Sequence, residues 1–142
     1  LNQLRKLDSG EPTTREVELE YAELNRYHSG RGPIRHNRMP ADEYRGADAD
    51  TLKSRAAAAV RARHPRSQVV VVHATPAEWK QSYGQMSLEL HVLVKNQRGR
   101  YWVHRVYGRR RLDRKSGGFT DPTVTYAAMY PMGLAPENVP AK

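Results

Sequence analysis

The clearest alternation of hydrophobic and polar positions in the chain runs from Ser87 to Tyr107. In its first half, apolar side chains take every second position: Leu88, Leu90, Val92 and Val94. A two-residue period of this kind predicts a strand with one buried face. Residues 96–99 interrupt the pattern, and residues 100–107 return to aromatic and β-branched side chains, which favour strands. The segment therefore predicts a β-hairpin.

The register of this hairpin depends on the length of its loop. With two or four loop residues, Leu88 pairs with Tyr107, and the other pairs of the buried face follow: Leu90 with Arg105, Val92 with Val103, and Val94 with Tyr101. A loop of three or five residues would shift the pairing by one and bring Trp102 and Val106 into the core instead. We predict the register of the even loop.

Two helices are predicted before the hairpin. Thr13 and Glu16 match a capping box, and the apolar residues that follow at helical spacing predict an amphipathic helix from Thr14 to about His28. Asp50 is the predicted N-cap of a second helix, Thr51 to about His64, whose alanines favour helix formation. The predicted inward stripe of this second helix is Leu52, Ala56, Ala59, Val60 and Arg63.

Further strands are predicted on either side of the hairpin. Gln68 to Thr75 contains four consecutive valines and predicts a strand, which Pro76 breaks or bulges before Trp79. A turn at Tyr83–Gly84 leads into the hairpin. The alternation from Thr123 to Tyr130 predicts a last strand.

These elements predict an α+β fold, with one or two helices packed on a curved antiparallel meander of three to four strands, because strands joined by short turns pair antiparallel. The predicted core sets five strand residues against three helix residues: Leu88, Leu90, Val92, Val94 and Val103 against Leu52, Ala56 and Val60. The order of elements from Asp50 to Tyr130 is similar to that of cystatin-like and nuclear-transport-factor-like domains. This resemblance implies an architecture and no activity.

The length of 142 residues fits one domain, and a chain of this size can bury a core without disulfides or metal. We expect that domain to span residues 13–130, with an irregular connection at residues 31–49. Residues 1–12 are predicted to be an N-terminal arm. Residues 131–142 contain three prolines and are predicted to be a C-terminal tail that is free or orders on contact.

Charge is divided unevenly along the chain. The first 50 residues carry 8 Lys and Arg against 10 Asp and Glu, whereas the rest of the chain carries 16 against 5. Arginines outnumber lysines by 18 to 6. That ratio either favours bidentate contacts with phosphate or carboxylate groups or reflects a GC-rich genome.

Several classes of chemistry lack their usual sequence features. The chain has no cysteine, which excludes disulfides, thiolate metal sites and cysteine nucleophiles. It has no G-x-S-x-G motif, no phosphate-binding loop and no dinucleotide fingerprint, and no apolar stretch approaches the length of a membrane span. It begins at Leu1 and not at Met, so we expect a processed chain or an excised piece, before which a signal peptide or anchor could have stood.

Two histidines are a weak candidate for a metal site. In the predicted register His91 and His104 lie opposite each other on the outer face, with Glu89 one pair away, and such a set can bind a divalent metal or move a proton. Histidine is also common on exposed strand faces, and no H-E-x-x-H spacing is present. We therefore predict neither a metal, nor a cofactor, nor a catalytic residue.

The stretch from Arg98 to Lys115 is the stronger candidate, with eight basic residues, one acidic residue and interleaved aromatic side chains. The candidate binding residues are Arg98, Arg100, Trp102, Arg105, Arg109, Arg110, Arg111, Arg114 and Lys115. Arginine with exposed aromatics suits phosphates and bases, and it equally suits an acidic protein, an anionic lipid headgroup layer or a polyanionic glycan. We expect Arg109–Arg111 to lie in an exposed loop outside the fold, with Leu112 as the anchor of that loop.

The pattern favours a non-enzymatic binding or structural domain, which contacts a protein or polyanionic partner through the basic loop and the outer sheet face. A nucleic-acid-binding protein that uses residues 98–115 is the alternative. A small enzyme with its site in the concave face of the sheet is the third interpretation.

Overall fold

A computed structural model describes residues 15, 18, 34–127 and 131–141. Its regular elements are α1 (Ala49–Arg63), β1 (Gln68–Ser82), β2 (Gln85–Lys95), β3 (Tyr101–Arg111), β4 (Thr123–Tyr126) and β5 (Met132–Leu134), with 3-10 turns at Ile34–His36 and Pro136–Asn138. Of the predicted first helix, only Arg15 and Glu18 are described, both helical; the rest of that helix and the N-terminal arm lie outside the described residues.

The predicted α+β fold is confirmed, since α1 packs on a five-stranded antiparallel sheet. The strands follow the order β1-β2-β3-β4, and β5 also pairs with β3. β4 pairs with Val106–Arg109 of β3, whereas β5 pairs with Tyr101–Val103. β4 and β5 therefore share one edge of β3, and the sheet is open within the described residues.

Helix α1 lies on the sheet with a face of small and branched residues. The buried side chains of α1 are Leu52, Ala56, Ala57 and Val60. The alanines leave room for close approach to the strands. The predicted N-cap was wrong, because the capping position belongs to Asp48 and Asp50 lies in the first turn. Pro65 follows the C-terminal end, where its ring is incompatible with a continuing helix.

The predicted register of the hairpin is wrong by one residue. The loop between β2 and β3 has five residues, Asn96–Arg100, so Val94 pairs with Trp102 and Leu90 with Val106. The buried side chain of Asn96 closes this loop, since its Oδ1 accepts hydrogen bonds from the backbone N–H groups of Arg98 and Arg100, each at 3.0 Å. The core under α1 consequently contains Trp102 and Val106. This is the arrangement expected for a loop of three or five residues.

A second apolar cluster lies on the face of the sheet away from α1. Leu93 and Val103 are buried there with Leu134 of β5, and Val103 is therefore not part of the core under α1 as predicted. Residues 131–141, predicted to be a tail that is free or orders on contact, make contacts with this side of the sheet. Residues 131–141 cover Leu93, the one apolar residue of β2 that broke the alternating pattern, so their few apolar side chains find a buried partner.

The described part of the connection before α1 is tied to the edge of β1 by hydrogen bonds. The backbone N–H groups of Glu43 and Tyr44 donate to the carbonyl of Ala74, and the Ala74 N–H donates to Asp42 Oδ1 at 2.9 Å. A 3-10 turn, Ile34–His36, lies in the first part of this connection.

The first and last predicted strands differ in length from β1 and β4. β1 continues to Ser82, past an irregularity between Thr75 and Lys80 that confirms the predicted bulge. The turn at Tyr83–Gly84 is confirmed, with positive φ at both residues. β4 ends at Tyr126, and residues 128–130 of the predicted last strand lie outside the described residues.

Candidate anion-binding surface

The nine predicted binding residues do not form one patch. Arg98 and Arg100 lie in the loop between β2 and β3, whereas Arg114 and Lys115 lie in the loop between β3 and β4, at the other end of the sheet. Eleven residues of β3 separate these loops, and a strand of that length spans about 35 Å. The basic stretch is therefore divided between two ends of the molecule and the strand that joins them.

Alternate residues of β3 point away from α1. On the helix side, a Cβ added to Gly108 would lie 3.8 Å from Leu52 of α1, which places the odd-numbered residues on the opposite face. Three of these odd-numbered residues are exposed arginines, here named the outer arginine row: Arg105, Arg109 and Arg111. Arg109 and Arg111 are about 7 Å apart along the strand, as alternate residues are, so both can meet one anionic surface.

Tyr107 lies within this row and contacts its neighbours on both sides. The Arg105 guanidinium donates a 3.4 Å hydrogen bond to the Tyr107 hydroxyl, and this bond raises the pKa of Arg105. The guanidinium carbon of Arg109 lies 5.3 Å from the centroid of the Tyr107 ring. These contacts restrict the side chains of Arg105 and Arg109. Less side-chain entropy is therefore lost when a partner binds.

Only one carboxylate approaches the outer arginine row in the described part of the chain. Glu89 Oε1 lies 3.9 Å from Nε of Arg105, and both side chains are nearly half exposed, at 47% and 42%. An exposed pair at this distance contributes little stability. No ion pair of Arg109 or Arg111 occurs within residues 34–127 and 131–141. The row therefore keeps most of its positive charge.

Arg110 has a different environment from its two neighbours, because it lies on the face that α1 covers. Its guanidinium carbon is 5.7 Å from the Trp79 ring centroid, and its Nε donates to the carbonyl of Thr120 at 3.0 Å. The prediction that Arg109–Arg111 lie in a loop outside the fold was wrong, since all three are in β3. The pleat of the strand separates their side chains onto two faces.

Trp102 and Leu112 also differ from the sequence-based prediction. Trp102 is 7% exposed in the core and is not available to a partner. The side chain of Leu112 is 45% exposed and is not a buried anchor for its loop, although the Leu112 backbone bridges to Phe119. Within the loop, the Asp113 carboxylate accepts hydrogen bonds from the Lys115 N–H at 3.0 Å and from Ser116 Oγ at 3.1 Å. Arg114 and Lys115 remain exposed.

The two histidines of the weak metal candidate lie on opposite faces of the sheet. His91 pairs with Arg105, and His104 pairs with Val92, because the shifted register separates them. No group of three or more His, Asp or Glu residues suited to a metal occurs among the described residues.

His104 belongs to a buried polar cluster that the sequence did not reveal. A 2.8 Å hydrogen bond joins its Nδ1 to the Tyr126 hydroxyl, and the ring of His64, at the end of α1, lies 4.5 Å away centroid to centroid. Burial lowers the pKa of His104 to about 3, and the neighbouring His64 adds to this effect. A neutral imidazole 2% exposed serves the packing of α1 on the sheet and is not open to a ligand.

His91 is buried on the outer face beside the arginine row. It is 4% exposed, and its Nε2 has no hydrogen-bond partner although Glu89 Oε2 lies 3.7 Å away. Burial lowers the pKa of His91, which favours the neutral imidazole. A neutral His91 forms no ion pair with Glu89, so the Glu89 carboxylate can pair with Arg105.

Comparisons with known proteins add no functional information, since no protein-family model, curated protein or solved structure matches the chain. No helix among the described residues is long and apolar enough to cross a membrane.

Proposed function

We propose that this chain is a non-enzymatic binding domain that holds an anionic partner against the outer face of its sheet. The outer arginine row is the single observation that carries the proposal. It sets three exposed guanidinium groups on one strand. Glu89, which pairs with Tyr107 within the row, is the one described carboxylate within ion-pair distance of the row, at Arg105. Sites on strands keep their geometry better than sites on loops.

The arginines suit anion recognition for two reasons. A guanidinium can donate two parallel hydrogen bonds to a carboxylate or a phosphate. The stacked pair of Tyr107 and Arg109 adds an aromatic surface next to the charge. A partner with anionic groups about 7 Å apart matches the spacing of alternate residues in β3.

Nucleic-acid binding is the less favoured form of this function. Proteins that bind single strands stack successive bases on several exposed aromatic side chains. Trp102 is buried, and Tyr107, half-buried within the outer arginine row, offers one stacking position. This arrangement supports recognition of charge more than recognition of bases.

A matched pair of variants tests the proposal. The test variant changes the outer arginine row, Arg105→Gln, Arg109→Gln and Arg111→Gln. The control removes the same charge from the opposite end of the sheet and from the end of α1, Arg61→Gln, Arg98→Gln and Arg100→Gln. Binding to heparin, to polyglutamate and to single-stranded RNA is measured by fluorescence anisotropy over a range of salt concentrations.

We expect the test variant to lose most of its affinity for the polyanions at low salt. For RNA, the salt slope should decrease by about one unit for each lost phosphate contact. The control should keep most of its affinity, because its charges are remote from the row. Equal losses in the two triple variants would mean that net charge alone binds, and would overturn the proposed site. RNA binding much tighter than heparin binding would favour the nucleic-acid alternative.

A further inference from the structure

The end of the sheet next to the outer arginine row carries two exposed apolar side chains. Tyr83, at the turn between β1 and β2, is 104% exposed and Leu112 is 45% exposed. They are the two large hydrophobic residues found exposed in the described part of the chain. A fully exposed side chain contacts nothing in its own fold, so Tyr83 contributes no packing.

The backbone brings these two side chains to the same end of the sheet. The Leu112 N–H donates to the carbonyl of Gly84 at 2.8 Å, which places Leu112 beside the turn that carries Tyr83. Leu112 also forms a bridge with Phe119 across the loop between β3 and β4. We name this end of the sheet, with Tyr83, Gly84, Leu112 and Phe119, the apolar tip.

Cations surround the apolar tip. Arg111 pairs with Gln85, next to the turn, and Arg109 lies two residues earlier in β3. Arg114 and Lys115 lie in the loop that begins at Leu112, and both are exposed. The carboxylate of Asp113 in this loop is engaged by hydrogen bonds from within the loop.

We propose that the apolar tip docks on a bilayer surface that contains anionic lipids, with Tyr83 and Leu112 entering the headgroup layer. The inference rests on the proposed function, because the lipid phosphates and carboxylates would be the anions that the outer arginine row binds. A tyrosine suits this position, since its ring is apolar and its hydroxyl keeps contact with water at the interface. Long Arg and Lys side chains can reach the phosphates while their stems lie along apolar groups.

A bilayer fits the shape of the tip better than an acidic protein does. Tyr83 lies in a two-residue turn with positive φ at both residues, and its side chain is 104% exposed. The side chain therefore projects from the surface of the protein. A protein partner would need a complementary pocket for this side chain, because anchor residues at protein interfaces usually occupy such pockets. A headgroup layer adapts to a projecting turn without one.

Vesicle sedimentation tests the inference with the whole chain. One set of vesicles is phosphatidylcholine alone, and the other contains phosphatidylserine as well. We expect binding to the anionic vesicles only, because each basic residue near such a surface strengthens binding by about fivefold. The double variant Tyr83→Ser, Leu112→Ser should bind about tenfold more weakly, and the control Arg98→Gln, Arg100→Gln should bind as the parent does.

A fluorescent residue at the turn reports insertion directly. In the variant Tyr83→Trp, the added tryptophan should be quenched by brominated lipids and its emission should shift to the blue on binding to the anionic vesicles. The parent provides the signal of Trp79 and Trp102 for subtraction. A Gln97→Trp variant in the opposite hairpin loop should show neither change.

Each outcome separates this inference from the proposed function. A chain that binds heparin but neither vesicle type overturns the bilayer inference and leaves the binding domain in place. A chain that binds none of these polyanions overturns both. Unchanged vesicle binding in the double variant, or an unquenched Tyr83→Trp, overturns insertion of the apolar tip even where anionic vesicles are bound.

Discussion

At the scale of single residues, the buried histidines link the fold to pH. His104 and His91 are 2% and 4% exposed, and burial lowers the pKa of each below its ordinary value, for His104 to about 3. In the unfolded chain both imidazoles bind protons below their ordinary pKa of 6.5. Between pH 6.5 and the folded-state pKa, the unfolded state therefore holds more protons, and stability falls as the pH falls.

This linkage predicts the behaviour of a His104→Phe variant. The parent should lose up to about 1.4 kcal/mol of unfolding free energy per pH unit for each imidazole that stays neutral in the fold, once the pH is well below 6.5. His104→Phe removes one such group, so its unfolding free energy should fall less steeply toward pH 4, although it should be lower at neutral pH because the bond to Tyr126 is lost. Urea denaturation over this pH range measures both effects.

Val106→Ala provides the control, because it truncates a buried side chain of β3 that does not titrate. This variant should be less stable than the parent at every pH, with the same dependence of the unfolding free energy on pH. An unchanged slope in His104→Phe would contradict a buried, neutral His104 in the folded state.

Gly46 predicts a second effect of one residue. A Cβ at this position would overlap the hydroxyl of Tyr44, which is held by hydrogen bonds with Asp48 and with Trp79 Nε1. Gly46→Ala should therefore lower the unfolding free energy by about 1–3 kcal/mol, as overpacking does. Gly118→Ala is the matched control, since its Cβ would meet only Ser116 Oγ at 3.8 Å. Equal midpoints of urea denaturation in the two variants would argue against this packing.

At the scale of elements, the sequence predicted the kinds of elements more reliably than their pairing. The period of two in β2 and the alanines of α1 each act locally, and both elements form close to the predicted positions. The register depended on one additional loop residue. The signal for it was Asn96 followed by Gly99, whose φ of 75° suits a loop closed by an asparagine side chain.

The C-terminal strand and the candidate surface show why local patterns are insufficient. β5 has three residues and is recognisable only through its pairing with β3, about thirty positions earlier. The composition of the basic stretch made it a candidate, but the separation of Arg110 from Arg109 and Arg111 follows from β3 continuing to residue 111. The cluster of His64, His104 and Tyr126 joins three elements and has no local pattern.

The packing of β5 predicts a large effect for Leu134→Ala. Leu134 is 2% exposed against Leu93 and Val103, and truncation of a buried leucine costs about 2–5 kcal/mol. Leu112→Ala is the matched control, because Leu112 is 45% exposed and exposed changes usually stay within about 0.5 kcal/mol. If urea denaturation gave the same midpoint for both variants, residues 131–141 would be a dispensable tail.

At the scale of the whole molecule, the arrangement of charge follows from the length and the pleat of β3. The arginines of β3 lie between residues 105 and 111, and the two faces of the strand divide them between the proposed binding surface and the packing of Arg110 on Trp79. The end with Arg111, Arg114 and Lys115 also carries the exposed Tyr83 and Leu112. One end of the sheet and the exposed part of its outer face therefore form the proposed contact surface, while α1 covers the other face.

The most direct measurement is a backbone amide NMR titration of the intact chain with a short heparin fragment. We predict that the largest shift changes fall on residues 105–111 of β3, with smaller ones at the loop of Arg114 and Lys115. The amides of Asn96–Arg100, a loop that carries Arg98 and Arg100, should remain nearly unchanged. Shift changes that are largest at Asn96–Arg100, or that spread evenly over all the basic residues, would contradict the binding site on the outer face of the sheet.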